Sequence, residues 1–252
     1  MPVADALVLN HVNYRDYDRM VTLLSPTLGR VDAVARGCRK PKSPLMNATE
    51  RFSAGEFSLV EAGGRYTLSS CRITESFYPL REDFDRLTAG AYLLHLLLLA
   101  AQPGQPCQEL FLTALQALAY LAYGQLPIPM VVMGFELHYL ALTGQAPRVD
   151  SCLRCSRPFV QEASVLDVAG GGAVCAACAR VGRPLSHGAR RILLRVPQTR
   201  FQSLEKLPGH PDWPEAARHT RRFIQYRLDR PPRLWPELPQ GGESPSRDDG
   251  NA

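Results

Sequence analysis

The sequence predicts an α+β protein of several parts: a small five-stranded barrel first, a helical bundle after it, and a four-cysteine metal module inserted in the helical part. Three observations carry this. Short β-branched or alternating segments fill residues 1–80. Near Leu80 the apolar spacing changes to the threes and fours of helices. Two Cys-x-x-Cys pairs, Cys152/Cys155 and Cys175/Cys178, then interrupt the helical pattern.

Ala6–Val12, Val21–Leu24, Arg30–Arg36, Glu56–Ala62 and Arg65–Phe77 read as strands. Turn signals part them at Asn13–Asp16, Ser25–Gly29, Pro41–Asn47 and Gly63–Gly64. The paired glycines mark a tight hairpin, because they supply the positive φ that such turns need. Five strands in a segment of this size suit a small closed barrel. An OB-fold, often an oligonucleotide binder, is one such barrel; an SH3-like barrel fits the pattern as well.

From Leu80 onward three helices fit between Gly/Pro breaks: Asp83–Ala101, Gln108–Tyr123 and Pro129–Thr143. In the second, Leu112, Leu115, Leu118, Ala119 and Ala122 make one apolar face. The run Leu93–Leu99 is apolar all round except His95, which predicts a helix central in the bundle. His95 and His138 then read as core or boundary histidines rather than ligands. Gly144 is placed to end the third helix in the left-handed conformation. Ser186 is placed to cap a helix over Ala189–Arg195, and Pro214 fits the first turn of another over Pro214–Leu228. The parts are thus residues 1–80, 81–149, 150–180 and 181–235, with a Pro-, Gly- and Ser-rich tail, 236–252, expected to be disordered.

The chain of 252 residues carries a formal charge of +5 with a pI near 8.9, which permits nucleic-acid binding without establishing it. The charge is uneven. Met1–Leu80 has ten Lys/Arg, four of them within Arg36–Lys42, and Arg183–Trp235 has twelve basic residues against four acidic ones. Two such regions flanking a slightly acidic middle suit an anionic polymer following a long surface, or simply two solvated faces. The most apolar run, Tyr92–Ala101, is too short for the ~20 residues that a membrane span requires. Seven cysteines without a secretory signal point to a reducing compartment, so the expected location is cytoplasmic, at the nucleoid when bound to DNA.

The cysteine spacing is the strongest local signal: Cys152-Leu-Arg-Cys155, nineteen residues, then Cys175-Ala-Ala-Cys178. Two intervening residues let both thiolates of a pair approach one cation from a tight knuckle, and the intervening hairpin brings the second knuckle opposite. Gly170–Gly172 gives the backbone room for that approach. Disulfides fit the compartment poorly, and a thioredoxin-type motif needs one pair rather than two. The expected cofactor is one structural Zn²⁺, since four thiolates fill the shell and leave no position for an activated water. No His-x-Glu partner of a zinc deaminase precedes the pairs. Cys38, Cys71 and Cys107 are assigned small structural roles.

Arg36-Gly37-Cys38-Arg39-Lys40-Pro41-Lys42-Ser43 follows directly on a predicted strand, so its cations project from a loop at the barrel rim. Lys and Arg on phosphates give affinity with little sequence preference. Arg36, Arg39, Lys40 and Lys42 are the candidate DNA contacts; Arg15, Arg19 and Arg51 extend the patch. Tyr14, Tyr17, Phe52 and Tyr66 are candidates for base stacking or for filling the barrel, and the second reading is preferred. There is no Walker-type loop, no Gly-x-Gly-x-x-Gly, no His-Glu-x-x-His and no Gly-x-Ser-x-Gly, so no catalytic residue is assigned.

In order along the chain, four places resemble the RecO family of bacterial recombination mediators. They are Ala6–Leu9 with Tyr14–Arg19; Leu23–Ser25 and Gly29–Val31 running into Ala35–Ser43; Phe135–Leu137 through Thr143-Gly144 and Pro147 to the first cysteine pair; and Gly171-Gly172 before Cys175–Cys178. Asp16, Cys38 and Ser156 depart from the family pattern, the last standing where many members have glycine. The resemblance implies an amino-terminal OB-fold, a helical domain with an inserted zinc module, and no enzymatic activity. It also implies binding to single- and double-stranded DNA, annealing, work with RecR, and help in loading recombinase onto DNA coated by single-strand binding protein (SSB). No small-molecule substrate and no membrane are implied. The alternatives are a zinc-dependent nuclease and a zinc-ribbon protein-interaction module.

Overall fold

The computed structural model describes residues 3–180 and 182–228; the expected disordered tail, 236–252, and the end of the 181–235 part lie outside the described residues. Five strands, β1 (Val3–Tyr14), β2 (Asp18–Ser25), β3 (Gly29–Ala35), β4 (Ala54–Ala62) and β5 (Arg65–Glu75), form a closed barrel in the order β1-β2-β3-β5-β4. β4 closes on β1 antiparallel, and β3 meets β5 in the one parallel pairing of the barrel, at Ala33–Tyr66 and Val34–Thr67. That order is the OB-fold arrangement, which decides between the two barrels the sequence allowed. Gly63 and Gly64, at φ +58 and +73, form the two-residue turn between β4 and β5.

The run Ala6-Leu7-Val8-Leu9 is continuously apolar because β1 is buried on both faces. Ala6 and Val8 pack inside the barrel with Val21, Leu23 and Phe57, whereas Leu7 and Leu9 join a larger core shared with the helices. Leu45 and Cys38, from the long connection after β3, also pack with the barrel interior.

The helices are α1 (Phe84–Ala100), α2 (Gln108–Tyr123), α3 (Ile128–Leu142), α4 (His187–Arg195) and α5 (Trp213–Arg227). Ser186 caps α4 by accepting from the Ala189 N–H at 3.1 Å, and Pro214 sits in the first turn of α5. Gly144 at φ +71 ends α3 in a Schellman arrangement, with Gly144 N–H on Ala141 O and Gln145 N–H on Leu140 O.

Two expectations need correction. The central helix is α3, buried without interruption from Met130 to Leu140, and it packs against α1, α2 and α5. The end of α1 is looser: Leu99 is exposed, at the edge of a hollow it shares with Leu142. In α2 the buried face is Leu110, Phe111, Ala114, Ala117, Leu118, Leu121 and Ala122; of the expected face Leu118 and Ala122 are buried, Leu115 and Ala119 are partly buried, and Leu112 is exposed. Both faces show helical spacing in an apolar-rich helix, and packing against α3 selects between them.

Glu136 lies in the middle of α3 with no solvent exposure. Tyr92 from α1 donates its hydroxyl to Glu136 at 2.6 Å, and Arg221 from α5 donates from Nε at 3.0 Å. Burial pushes the Glu136 carboxyl up, while the Arg221 charge and the hydrogen bonds pull it down. This pair ties the last helix to the first and third. Glu136→Ala leaves Arg221 buried without its carboxylate, a loss of about 3–5 kcal/mol. It should lower the melting temperature by on the order of 10 °C in a thermal scan; an unchanged transition would contradict the role. His138 is a core histidine, with Nδ1 2.8 Å from the Gly134 carbonyl and Nε2 3.0 Å from the Thr199 carbonyl.

Between α3 and α4 a three-stranded sheet, β6 (Ser164–Asp167), β7 (Gly172–Cys175) and β8 (Arg183–Leu185), is ordered β7-β6-β8. Gly170-Gly171 lies in the turn from β6 to β7. The module is not an isolated appendage: Val149, Leu166, Ala173 and Leu185 belong to the main helical core. No helix among the described residues is long and apolar enough to cross a membrane.

Candidate nucleic-acid interface and metal centre

At one end of the barrel the β1–β2 hairpin closes with the pairs Asn13–Arg19 and Tyr14–Asp18, and β3 runs beside β2 as far as Arg19–Ala35. The connection leaving β3 folds back onto this end. Gly37 N–H donates to the Asp18 carboxylate at 2.7 Å, Arg39 N–H to Tyr17 O at 3.0 Å, and Arg39 Nη1 to Asp16 O at 3.0 Å. The ammonium of Lys40 lies 5.8 Å from the centre of the Tyr17 ring. Arg15, in left-handed backbone at φ +55, places its guanidinium 5.1 Å over Tyr14.

The fold therefore brings Arg15, Arg39 and Lys40 to one end of the barrel, with Arg36 and Lys42 in the same exposed loop. Arg36 and Lys42 hydrogen-bond through their side chains to none of the described residues, leaving both charges free for an anion. Arg51 stands apart from that set, in a hollow against α1. Arg19 is not a free cation: its Nη1 donates to Thr49 Oγ1 at 2.8 Å and to Glu50 at 2.7 Å.

Phe52, 3% exposed, is buried as the preferred reading of the aromatics has it, but in the core shared with the helices rather than inside the barrel; Tyr66 packs partly buried against the barrel core. That reading fails for Tyr14 and Tyr17, at 41% and 51% exposed. Tyr14 ends β1 and Tyr17 lies in the turn to β2, past the residues that pack into the barrel, so strand alternation does not place them inside. Asp18, the anchor that pins the basic loop through Gly37, was also not visible in the sequence.

All four cysteines of the two knuckles come together, their Sγ atoms within 4.8 Å of one another, with Cys155 and Cys175 at 3.9 Å. Four thiolates at ~2.3 Å from a central ion stand about 3.8 Å apart in a tetrahedron, so the donor set fits a tetrahedral metal. Burial pushes the Cys152 thiol up, but N–H donors at Cys155, Cys175 and Arg154 outweigh it and bring the group down to about 6. Cys178, hydrogen-bonded to Cys175 and Cys155, is pushed up to about 12. Four sulfurs this close cannot all ionise without a cation among them. Ser156, whose N–H closes the first knuckle on Cys152 O at 2.9 Å, has φ +60. That conformation accounts for the glycine expected there, and a serine adopts it at a cost of roughly 1–2 kcal/mol.

A closed OB-fold barrel with cations at one end, a helical body and four clustered cysteines that could hold a metal ion make up the fold, and comparison with known proteins gives its class. The family model for the recombination protein O N terminal matches residues 1–77, and that for the recombination protein O C terminal matches residues 81–236. The chain is 31% identical over 232 residues to a DNA repair protein RecO of Moorella thermoacetica, covering 90% of this chain and 86% of that one. It is 29% identical over 231 residues to that of Acetivibrio thermocellus, covering 89% and 90%. With the RecO of Anaeromyxobacter sp. (strain K) it shares 34% identity over 233 residues, covering 89% and 90%. The chain belongs to the RecO family of DNA repair proteins.

Proposed function

We propose that this protein binds single- and double-stranded DNA through the barrel of residues 1–80, anneals complementary strands, and helps load recombinase onto SSB-coated DNA together with RecR. The observation that carries the reading is the cluster of Arg15, Arg36, Arg39, Lys40 and Lys42 around two exposed tyrosines at one barrel end. Cations on phosphates release counterions, and exposed aromatic rings stack on bases of any sequence. Two strands whose phosphates are neutralised repel less, so complementary bases meet more often and pairing supplies the driving force. No nucleotide hydrolysis enters.

The cysteine cluster holds one Zn²⁺ in this reading, as a scaffold that fixes residues 150–180 against the helices. Four thiolate ligands complete the tetrahedral shell. That favours the scaffold over the alternative of a zinc-dependent nuclease, which needs an open position for water. Incubating complementary labelled oligonucleotides with the protein, without ATP, tests the proposal: faster duplex formation with intact strands supports it, and strand cleavage in the presence of a divalent metal would favour the nuclease.

A further inference from the structure

A hollow of about 420 Å³ lies where the barrel meets the start of α1. Phe52 and Leu87 supply apolar lining, and Phe84 stands beside them. The Phe84 ring is 78% exposed, the largest exposure of any large apolar side chain among the described residues. A ring left in water at the mouth of such a hollow is accessible to a partner, though a lone exposed ring does not by itself mark one.

Two guanidinium groups line the same hollow. Arg81 donates to the carbonyls of Ser76 and Arg51 at 2.8 and 2.7 Å and lies 5.6 Å over the Phe52 ring, and Arg51 is exposed. Carbonyls orient a guanidinium without cancelling its charge, and neither arginine has a carboxylate within ion-pair distance among the described residues. The one carboxylate in the hollow, Glu50, is taken by Arg19 at 2.7 Å. His11 closes one side with Nδ1 buried and unpartnered. Burial and the nearby Arg19 charge hold its imidazole below the usual value, so it adds no positive charge at neutral pH.

An apolar slot with an exposed ring and two uncompensated cations matches one chemistry: a flat, uncharged π system tethered to an anion. We propose that this hollow is a socket for a single unstacked nucleobase, held against Phe84, with the adjoining phosphate on Arg51 and Arg81. The proposal rests on the DNA-binding reading above and extends it from the barrel rim to the helical part. The hollow is near the rim: His11, which lines it, and Tyr14 both belong to β1 and are about 10 Å apart along the strand, on opposite faces of it.

The test compares an oligothymidylate with a same-length strand containing abasic sites, bound to the full chain and to Phe84→Ala and Phe84→Trp. The wild type and Phe84→Trp should prefer the base-bearing strand, while Phe84→Ala should lose on the order of tenfold in affinity for it and little for the abasic one. The exposed ring can be removed without opening the core, and an unchanged melting temperature confirms that each variant is folded. Equal binding of the base-bearing strand by wild type and Phe84→Ala would overturn the socket while leaving DNA binding at the rim intact. That same result is expected if an apolar segment of a protein fills the hollow. Failure of the wild type to bind either strand would overturn the DNA-binding reading, and the socket with it.

Discussion

Replacing Arg39, Lys40 and Lys42 together by alanine is expected to weaken single-stranded DNA binding by on the order of 100-fold at 0.1 M salt. The slope of log affinity against log salt should fall by about two. The arithmetic is that of counterion release: each phosphate contact on a single strand contributes about 0.7 to the slope, hence about fivefold at 0.1 M. Arg39 and Lys40 also brace the turn of the β1–β2 hairpin, through Asp16 O and the Tyr17 ring, so part of their effect comes from loosening it. Arg36→Ala with Lys42→Ala separates the two causes. Neither side chain bonds to a described residue, so this pair should reduce affinity and slope at an unchanged melting temperature. If the triple variant binds with wild-type affinity and salt slope, the loop is a solubilising edge and the interface lies elsewhere.

The second large effect is expected at the metal. Cys175→Ser should reduce bound zinc from one equivalent to none, measured by elemental analysis of purified protein. It should also lower the melting temperature by on the order of 20 °C or more, since structural zinc contributes roughly 10 kcal/mol or more to the segments it folds. The drop is global because Val149, Leu166, Ala173 and Leu185 pack in the main helical core, so releasing the knuckles withdraws apolar contacts from α3 and its neighbours. Single-stranded DNA affinity measured below the lowered transition should stay within a few-fold of wild type if the module is a scaffold. Retention of zinc by the variant would remove Cys175 from the ligand set. A large affinity loss in a still-folded variant would make the module a contact surface.

Local chemistry made much of this legible in the sequence. Turn residues punctuate the five strands, the two Cys-x-x-Cys pairs specify their own geometry, and the density of charge at Arg36–Lys42 marks the loop. What stayed hidden depends on residues far apart. Glu136 and Arg221 are separated by 85 positions, and nothing in the spacing of either helix announces the pair. The centrality of α3 follows from its having helices on several sides, not from its composition, since α1 is equally apolar along Leu93–Leu99. Tyr14 and Tyr17 look like barrel residues, but they stand at the turn that closes the β1–β2 hairpin. The hollow at Phe84 is assembled from β1, the segment before β4, the turn at Arg81 and α1, which no local pattern connects.

The most direct measurement of the central claim is the rate at which two complementary labelled oligonucleotides anneal, with and without the protein and SSB, across a salt series. An annealing protein that works through phosphate neutralisation should accelerate duplex formation without ATP, on bare and on SSB-coated strands, with an acceleration that declines steeply as salt rises. No acceleration at any salt, together with no DNA affinity at low salt, would contradict the account and leave a metal-stabilised scaffold whose partner is another protein.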